Sequence, residues 1–232
     1  MDKKTALKYL NKNRMLNIDM IDSVESNESE VIYAGDNGVL LYVYAGDSYL
    51  ISADYDVEKI LVCAKPDADV FLAHQDFYIP LIKEQFGLKS EMRCYTAVYT
   101  KPNPPEYKID CEIRQLTLDY LDIVAATYSH VNNREYLERR IKDNYMFGAF
   151  SGGELMGYIG IHDEGAMGML EVLPEHRRKG IGYALEAYLI GDLLKKGRVP
   201  YAHIIEDNFA SLSLQKKLGM DIIEDKVTWI FK

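Results

Sequence analysis

Residues 170–184 read Leu-Glu-Val-Leu-Pro-Glu-His-Arg-Arg-Lys-Gly-Ile-Gly-Tyr-Ala. An apolar run stops at Pro174, a basic turn with two glycines follows, and from Gly182 the residues Leu185, Tyr188, Leu189 and Leu193 recur at helical spacing. The stretch therefore predicts strand, turn and helix. The first N–H groups of a helix have no intrahelical partner, and the dipole adds roughly half a positive charge there, so a phosphate is a natural guest. Arg177, Arg178 and Lys179 add positive charge beside it. Gly180 and Gly182 lack a Cβ, which lets a bulky pyrophosphate approach the main chain and makes positive φ accessible.

Two common phosphate motifs do not fit. There is no Gly-x-x-x-x-Gly-Lys-Ser/Thr, and the third glycine of a dinucleotide fingerprint is replaced by Leu185. The pattern that remains, Val172-x-Pro174-x-x-Arg177-x-x-Gly180-x-Gly182, resembles the acetyl-CoA motif of the GCN5-related N-acetyltransferases (GNAT). A later stretch, Asn208-x-x-Ser211-x-x-Leu214-x-Lys216-Lys217-Leu218-Gly219-Met220, resembles that family's second motif. The resemblance covers about 111–232. Within it, Leu173-Pro174-Glu175-His176-Arg177, the strand bearing His203 and the late Trp229 look most like the glycine N-acyltransferase-like branch.

The resemblance implies an α/β (α+β) fold, with a mixed twisted sheet flanked by helices in the C-terminal part. It implies an N-acyltransferase moving an acetyl or related acyl group from acetyl-CoA, as donor substrate and without a metal, to an amine on a small molecule or peptide. The backbone of Gly180, Ile181 and Gly182, with Arg177, Arg178 and Lys179, would hold the pyrophosphate. Leu170 and Val172 would meet pantetheine, and Asn208 and Ser211 would line the same arm. Asn208 is equally suited to cap the helix it begins.

The chemistry is less plainly written. Family members often protonate the departing thiolate with a tyrosine directly after the Leu214 position, where Gln215 stands, and a carboxylate base often sits where alignment puts Ala166. Glu171, Glu164, His162 and His203 are the nearby candidates for proton transfer, the histidines having an ordinary pKa near 6.5. The departures at Gln215 and Ala166 also admit a non-catalytic acyl-CoA binder or sensor, and a protein with no ligand at all is a third possibility.

Composition narrows the setting. The 232 residues fit one large or two small domains, and 48% hydrophobic content supports a proper core. A net charge of −9 argues against nucleic acid or an anionic membrane as partner. No apolar run approaches the roughly 20 residues needed to span a bilayer, so a cytoplasmic protein is expected. Cys63, Cys94 and Cys111 are odd in number and have no Cys-x-x-Cys spacing, which reads as reduced core thiols.

The proline cluster Lys101-Pro102-Asn103-Pro104-Pro105-Glu106 suggests a boundary between an N-terminal α/β domain, 1–105, and the acyltransferase domain, 106–232. Upstream, apolar spacing predicts two helices within 2–25, strands at 31–34, 38–44 and 48–52, then helix, strand, helix and a long strand at 90–100. No second Arg-x-x-Gly-x-Gly occurs there, yet this order looks like a partial copy of the same plan. That first half would shape the acceptor pocket, support a homodimer, or both. Downstream the expected order is β-α-α-β-β-β-α-β-α-β-β. Acceptor specificity is assigned to loops such as 129–134.

Overall fold

The structure, a computed structural model, describes residues 2–128 and 133–232. Most of the loop 129–134 therefore lies outside the described residues. The chain opens with α1 (Lys3–Leu10) and α2 (Ile18–Glu25), followed by the antiparallel meander β1 (Ser29–Gly35), β2 (Gly38–Val43) and β3 (Ser48–Ala53). Next come α3 (Val57–Leu61), β4 (Val70–Ala73), α4 (Ile79–Phe86) and β5 (Ser90–Val98). Pro80 falls in the first turn of α4, where no helical donor is lost. The apolar runs of β2 and β3 are continuous because both faces are covered. Leu40, Tyr49 and Ile51 pack under α3 and α4, while Val39, Leu41 and Leu50 pack under α1 and α2.

The later half runs β6 (Glu112–Gln115), α5 (Leu121–Thr127), α6 (Arg134–Lys142), β7 (Met146–Ser151), β8 (Glu154–Ile161) and β9 (Met167–Val172). It continues with α7 (Ile181–Lys195), β10 (Tyr201–Ile205), α8 (Phe209–Leu218) and β11 (Asp221–Phe231). The two closing strands expected from the sequence are one strand, β11, whose register breaks between Ile222 and Lys226. A second correction concerns the thiols: Cys94 is buried, but Cys63 is exposed at the end of α3 and is no core residue. Among the described residues no helix is long and apolar enough to cross a membrane.

The strands form a sheet ordered β1-β2-β3-β4-β11-β5-β10 and a second ordered β6-β7-β8-β9. Two features of this order position the site. First, β11 is inserted between β4 and β5, and β5 between β11 and β10. Each half thus lends one strand to the other, and the prolines at 102, 104 and 105 join halves that share a sheet. Second, β3 and β4 are paired in parallel through Tyr49↔Phe71, Leu50↔Leu72 and Ile51↔Ala73. Their counterparts in strand order, β9 and β10, lie side by side at the junction of the sheets with no ladder between them. The mixed sheets flanked by helices bear out the α/β (α+β) expectation.

Candidate active site

The gap between β9 and β10 is a cavity of about 500 Å3. Its shape begins in β9. Gly168 pairs with Gly160 and Glu171 with Tyr158, so Met169 and Leu170 together oppose the single residue Ile159. This bulge, with Met169 at φ 51°, turns the strand out of the plane of the ladder next to β10. Met167, Met169 and Leu170 line one side of the cavity, His203 and Ile204 of β10 the other, and Ser211 and Leu214 of α8 close it.

The turn that delivers α7 abuts this cavity. Gly180 caps the helix at φ 84°, a conformation costly for any residue with a Cβ, and among the described residues no side chain caps the first N–H groups. Gly182 is glycine for a different reason. A Cβ there would meet Val172 at 3.5 Å, Leu170 at 3.7 Å and Leu214 at 3.9 Å, all ordinary contacts, so packing of the free protein does not require glycine. Arg178 and Lys179 are exposed and make no ion pair among the described residues. Arg177 instead folds back on β9, its Nε donating to the Val172 carbonyl at 3.0 Å and its Nη2 to Glu171 at 3.0 Å. The Ile181 side chain is buried in the core under α7, leaving only its main chain to the turn. Asn208 lines the cavity and caps α8, its Oδ1 accepting from Ser211 N at 3.1 Å.

The structure sorts the candidates for proton transfer. Glu171, bound to Arg177, is absent from the cavity wall. Glu164, in the turn before β9, lines the cavity, and burial together with the nearby Asp163 and Asp19 pushes its carboxyl up to about 8. Ala166 is buried two residues further on, so the carboxylate sits before the strand instead of on it. His203 also lines the cavity, but burial pushes it down to about 4, against the pull of Asp19. It is a neutral imidazole whose two nitrogens have no hydrogen-bond partner among the described residues, with Nε2 3.8 Å from Asp19 Oδ2. His162 faces the cavity while its Nδ1 meets the Tyr136 hydroxyl at 2.9 Å.

Two pairs are not evident from the sequence, which marks Gln215 as a departure from the family pattern but does not point to its partner. Glu186 of α7 is 3% exposed and Gln215 of α8 is 1% exposed, and both line the cavity. Gln215 Nε2 donates to Glu186 Oε1 at 2.7 Å, leaving Glu186 Oε2 and Gln215 Oε1 buried without partners among the described residues. Burial raises the Glu186 carboxyl to about 7, the Gln215 bond opposing the shift. The other pair is His74 and Asp19 of the first half. The His74 Nδ1 faces the Ile51 carbonyl at 2.9 Å and Nε2 faces Asp19 at 2.9 Å, two acceptors, so both nitrogens carry protons. Burial disfavours both charges, yet their mutual attraction holds His74 above and Asp19 below its ordinary range.

A split pair of sheets, a bulged strand and an uncapped helix start beside the gap define a class: this is the fold of the GNAT acetyltransferases. Within the chain, residues 146–230 match the family described as FR47-like protein. Three solved structures are similar over nearly the whole chain. A Drosophila protein superposes with a TM-score of 0.68 at 17% identity, covering 100% of this chain and 96% of its own. A GCN5-related N-acetyltransferase-like protein from Streptococcus suis gives 0.56 at 14% identity, covering 98% and 100%. A tandem GNAT protein from the clavulanic acid biosynthesis pathway gives 0.50 at 16% identity, covering 99% and 95%. At these identities the likeness is one of fold. No curated protein sequence matches the chain.

Proposed function

We propose that the chain is an acyltransferase that moves an acetyl or related acyl group from acetyl-CoA to a primary amine. The observation that carries this reading is a pair of carboxyls, the buried Glu186 with its Oε2 unpartnered among the described residues and the half-buried Glu164, reached from different elements of one cavity that adjoins an uncapped helix N-terminus. The main chain at 180–182, with Arg178 and Lys179, holds the pyrophosphate. Leu170, Val172, Asn208 and Ser211 flank the pantetheine arm.

An amine reaches the cavity as ammonium. The Glu164 carboxylate takes its proton, the freed amine adds to the thioester carbonyl, and the C–S bond breaks. Glu186 Oε2–H gives its proton to the departing thiolate and takes back, through water, the second proton that the acylated nitrogen loses on becoming an amide, while Glu164 releases its own to solvent, so that one proton is released overall. Gln215, unable to donate a proton of suitable pKa, holds Glu186 by its other oxygen. A Glu186 held in this way supports chemistry over a binder without it. The later half, 106–232, is read as the acyltransferase unit. The earlier half, 1–105, is read as the one that completes the acceptor side, because Met92 and Cys94 of β5 are in the cavity wall. The likeness to the glycine N-acyltransferase-like branch rests on sequence alone.

Calorimetric titration with acetyl-CoA tests the turn. Wild type and Gly182→Ala are both expected to remain folded, since the methyl has room. Gly182→Asp is expected to lose binding, its carboxylate occupying the phosphate position. Binding by Gly182→Asp equal to that of wild type would end the assignment.

A further inference from the structure

We infer that the acceptor is a primary amine with an apolar, preferably aromatic, body and no carboxylate. The inference rests on the acyltransferase reading and narrows it to a substrate class. Once the pantetheine arm takes the side formed by Leu170, Ser211 and Leu214, the wall left for the acceptor comprises Met92, Cys94, Tyr128, His162, Glu164, His203 and Trp229. Its charge is one-sided. The cavity contains two carboxyl side chains, Glu164 and Glu186, and no lysine or arginine among its described lining residues.

The arginines nearest along the chain are committed elsewhere, beginning with Arg93, between Met92 and Cys94, which binds Asp76. Arg139 and Arg140 both bind Asp163, and Arg140 also donates to the Ile161 and His162 carbonyls. Arg177 is held by Glu171. Residues 129–132, outside the described residues, are Ser, His, Val and Asn, so that segment contributes no lysine or arginine either. His203 is neutral, and its ring stands edge to face with Trp229 at 6.3 Å. The ring of Trp229 and the sulfur atoms of Met92 and Cys94 offer apolar surface but nothing that would neutralise an anion. An α-amino acid brought here would bury its carboxylate unpaired near Glu164, where like charge and desolvation both oppose it. The same amine without its carboxylate keeps the attraction of its ammonium to Glu164 and loses the penalty. A glycine acceptor, the one named by the branch that the sequence resembles, is thereby disfavoured.

Matched pairs test this on the full chain at saturating acetyl-CoA, by thiol release: phenethylamine against phenylalanine and tryptamine against tryptophan, with glycine beside them. Each amine is expected to exceed its amino acid at least a hundredfold in kcat/KM. Phenylalanine methyl ester is expected to behave as the amine does, because the ester keeps the bulk and removes the charge. Amino acids used as well as their amines would overturn the inference, as would an ester as poor as the free acid. So would no amine-dependent thiol release from any pair in a protein that binds acetyl-CoA. Failure to bind acetyl-CoA in the calorimeter is a separate result and counts against the acyltransferase reading itself.

Discussion

At the residue scale, the two carboxyls of the cavity make a specific claim about pH. Glu164 must be ionised to accept a proton and its burial places that change near 8, so activity is lost as pH falls through this range. Glu186 must be protonated to donate and burial places its change near 7, so activity is also lost as pH rises. The base therefore titrates above the acid, and the productive form is a minor one at every pH. A bell centred between about 7 and 8 is expected. Glu186→Gln should abolish its descending limb and Glu164→Gln its ascending limb, each lowering kcat by roughly 10²–10⁴-fold. A variant that loses rate with both limbs intact would mean that its carboxyl is only structural. Glu171 was the equal of Glu164 in the sequence, because strand alternation does not reveal that Arg177 folds back to occupy it. Glu186 left a faint trace: it stands four residues after Gly182, on the same helical face as the glycine of the anion turn. A glutamate in an apolar helix face is a burial cost that calls for a reason.

At the scale of the element, β9 decides where chemistry can happen. Its bulge sets Gly168 against the imidazole of His162, where a Cβ would come within 2.4 Å of Nε2. Gly168→Ala must push that ring off the Tyr136 hydroxyl and into the cavity. Overpacking of this kind costs about 1–3 kcal/mol. Urea unfolding should show a loss in that range, together with a raised KM for the amine and little change in acetyl-CoA affinity. A wild-type KM would show that the ring does not border the acceptor. The elements themselves were largely legible. α7 follows from Leu185, Leu189 and Leu193 at helical spacing with Gly197 beyond its end, and α8 from Asn208 at its start and Gly219, at φ 80°, after it. The bulge was not legible, because no turn residue or break in the apolar pattern marks Met169 as the position with φ above zero.

For the whole molecule, the proline cluster marked a boundary in sequence where the sheet is continuous. Sequence reading works from neighbours along the chain, whereas β5 and β11 find each other across more than half of it. The buried His74–Asp19 pair is similarly remote from the cavity in sequence and next to His203 in space. Arg198, after α7, binds Asp22 and Glu28 of the first half and ties the halves again. A fragment spanning 106–232 lacks the strand that separates β10 from β11, so it is expected to show no cooperative unfolding transition alone. Co-expression with 1–105 should restore both folding and acetyl-CoA binding. A fragment 106–232 that melts cooperatively and binds acetyl-CoA by itself would show that the shared strand is dispensable.

The exchange of strands also sets an order of events during synthesis. β4 and β5 leave the ribosome as neighbours in a sheet whose place between them is still empty, and each exposes an open edge until β11 has been made. An apolar edge left waiting is a template for pairing with another chain. The nascent first half is therefore the stage at which this protein is most exposed to misassembly, and slowing translation between β5 and β11 would lengthen that exposure without altering a single residue.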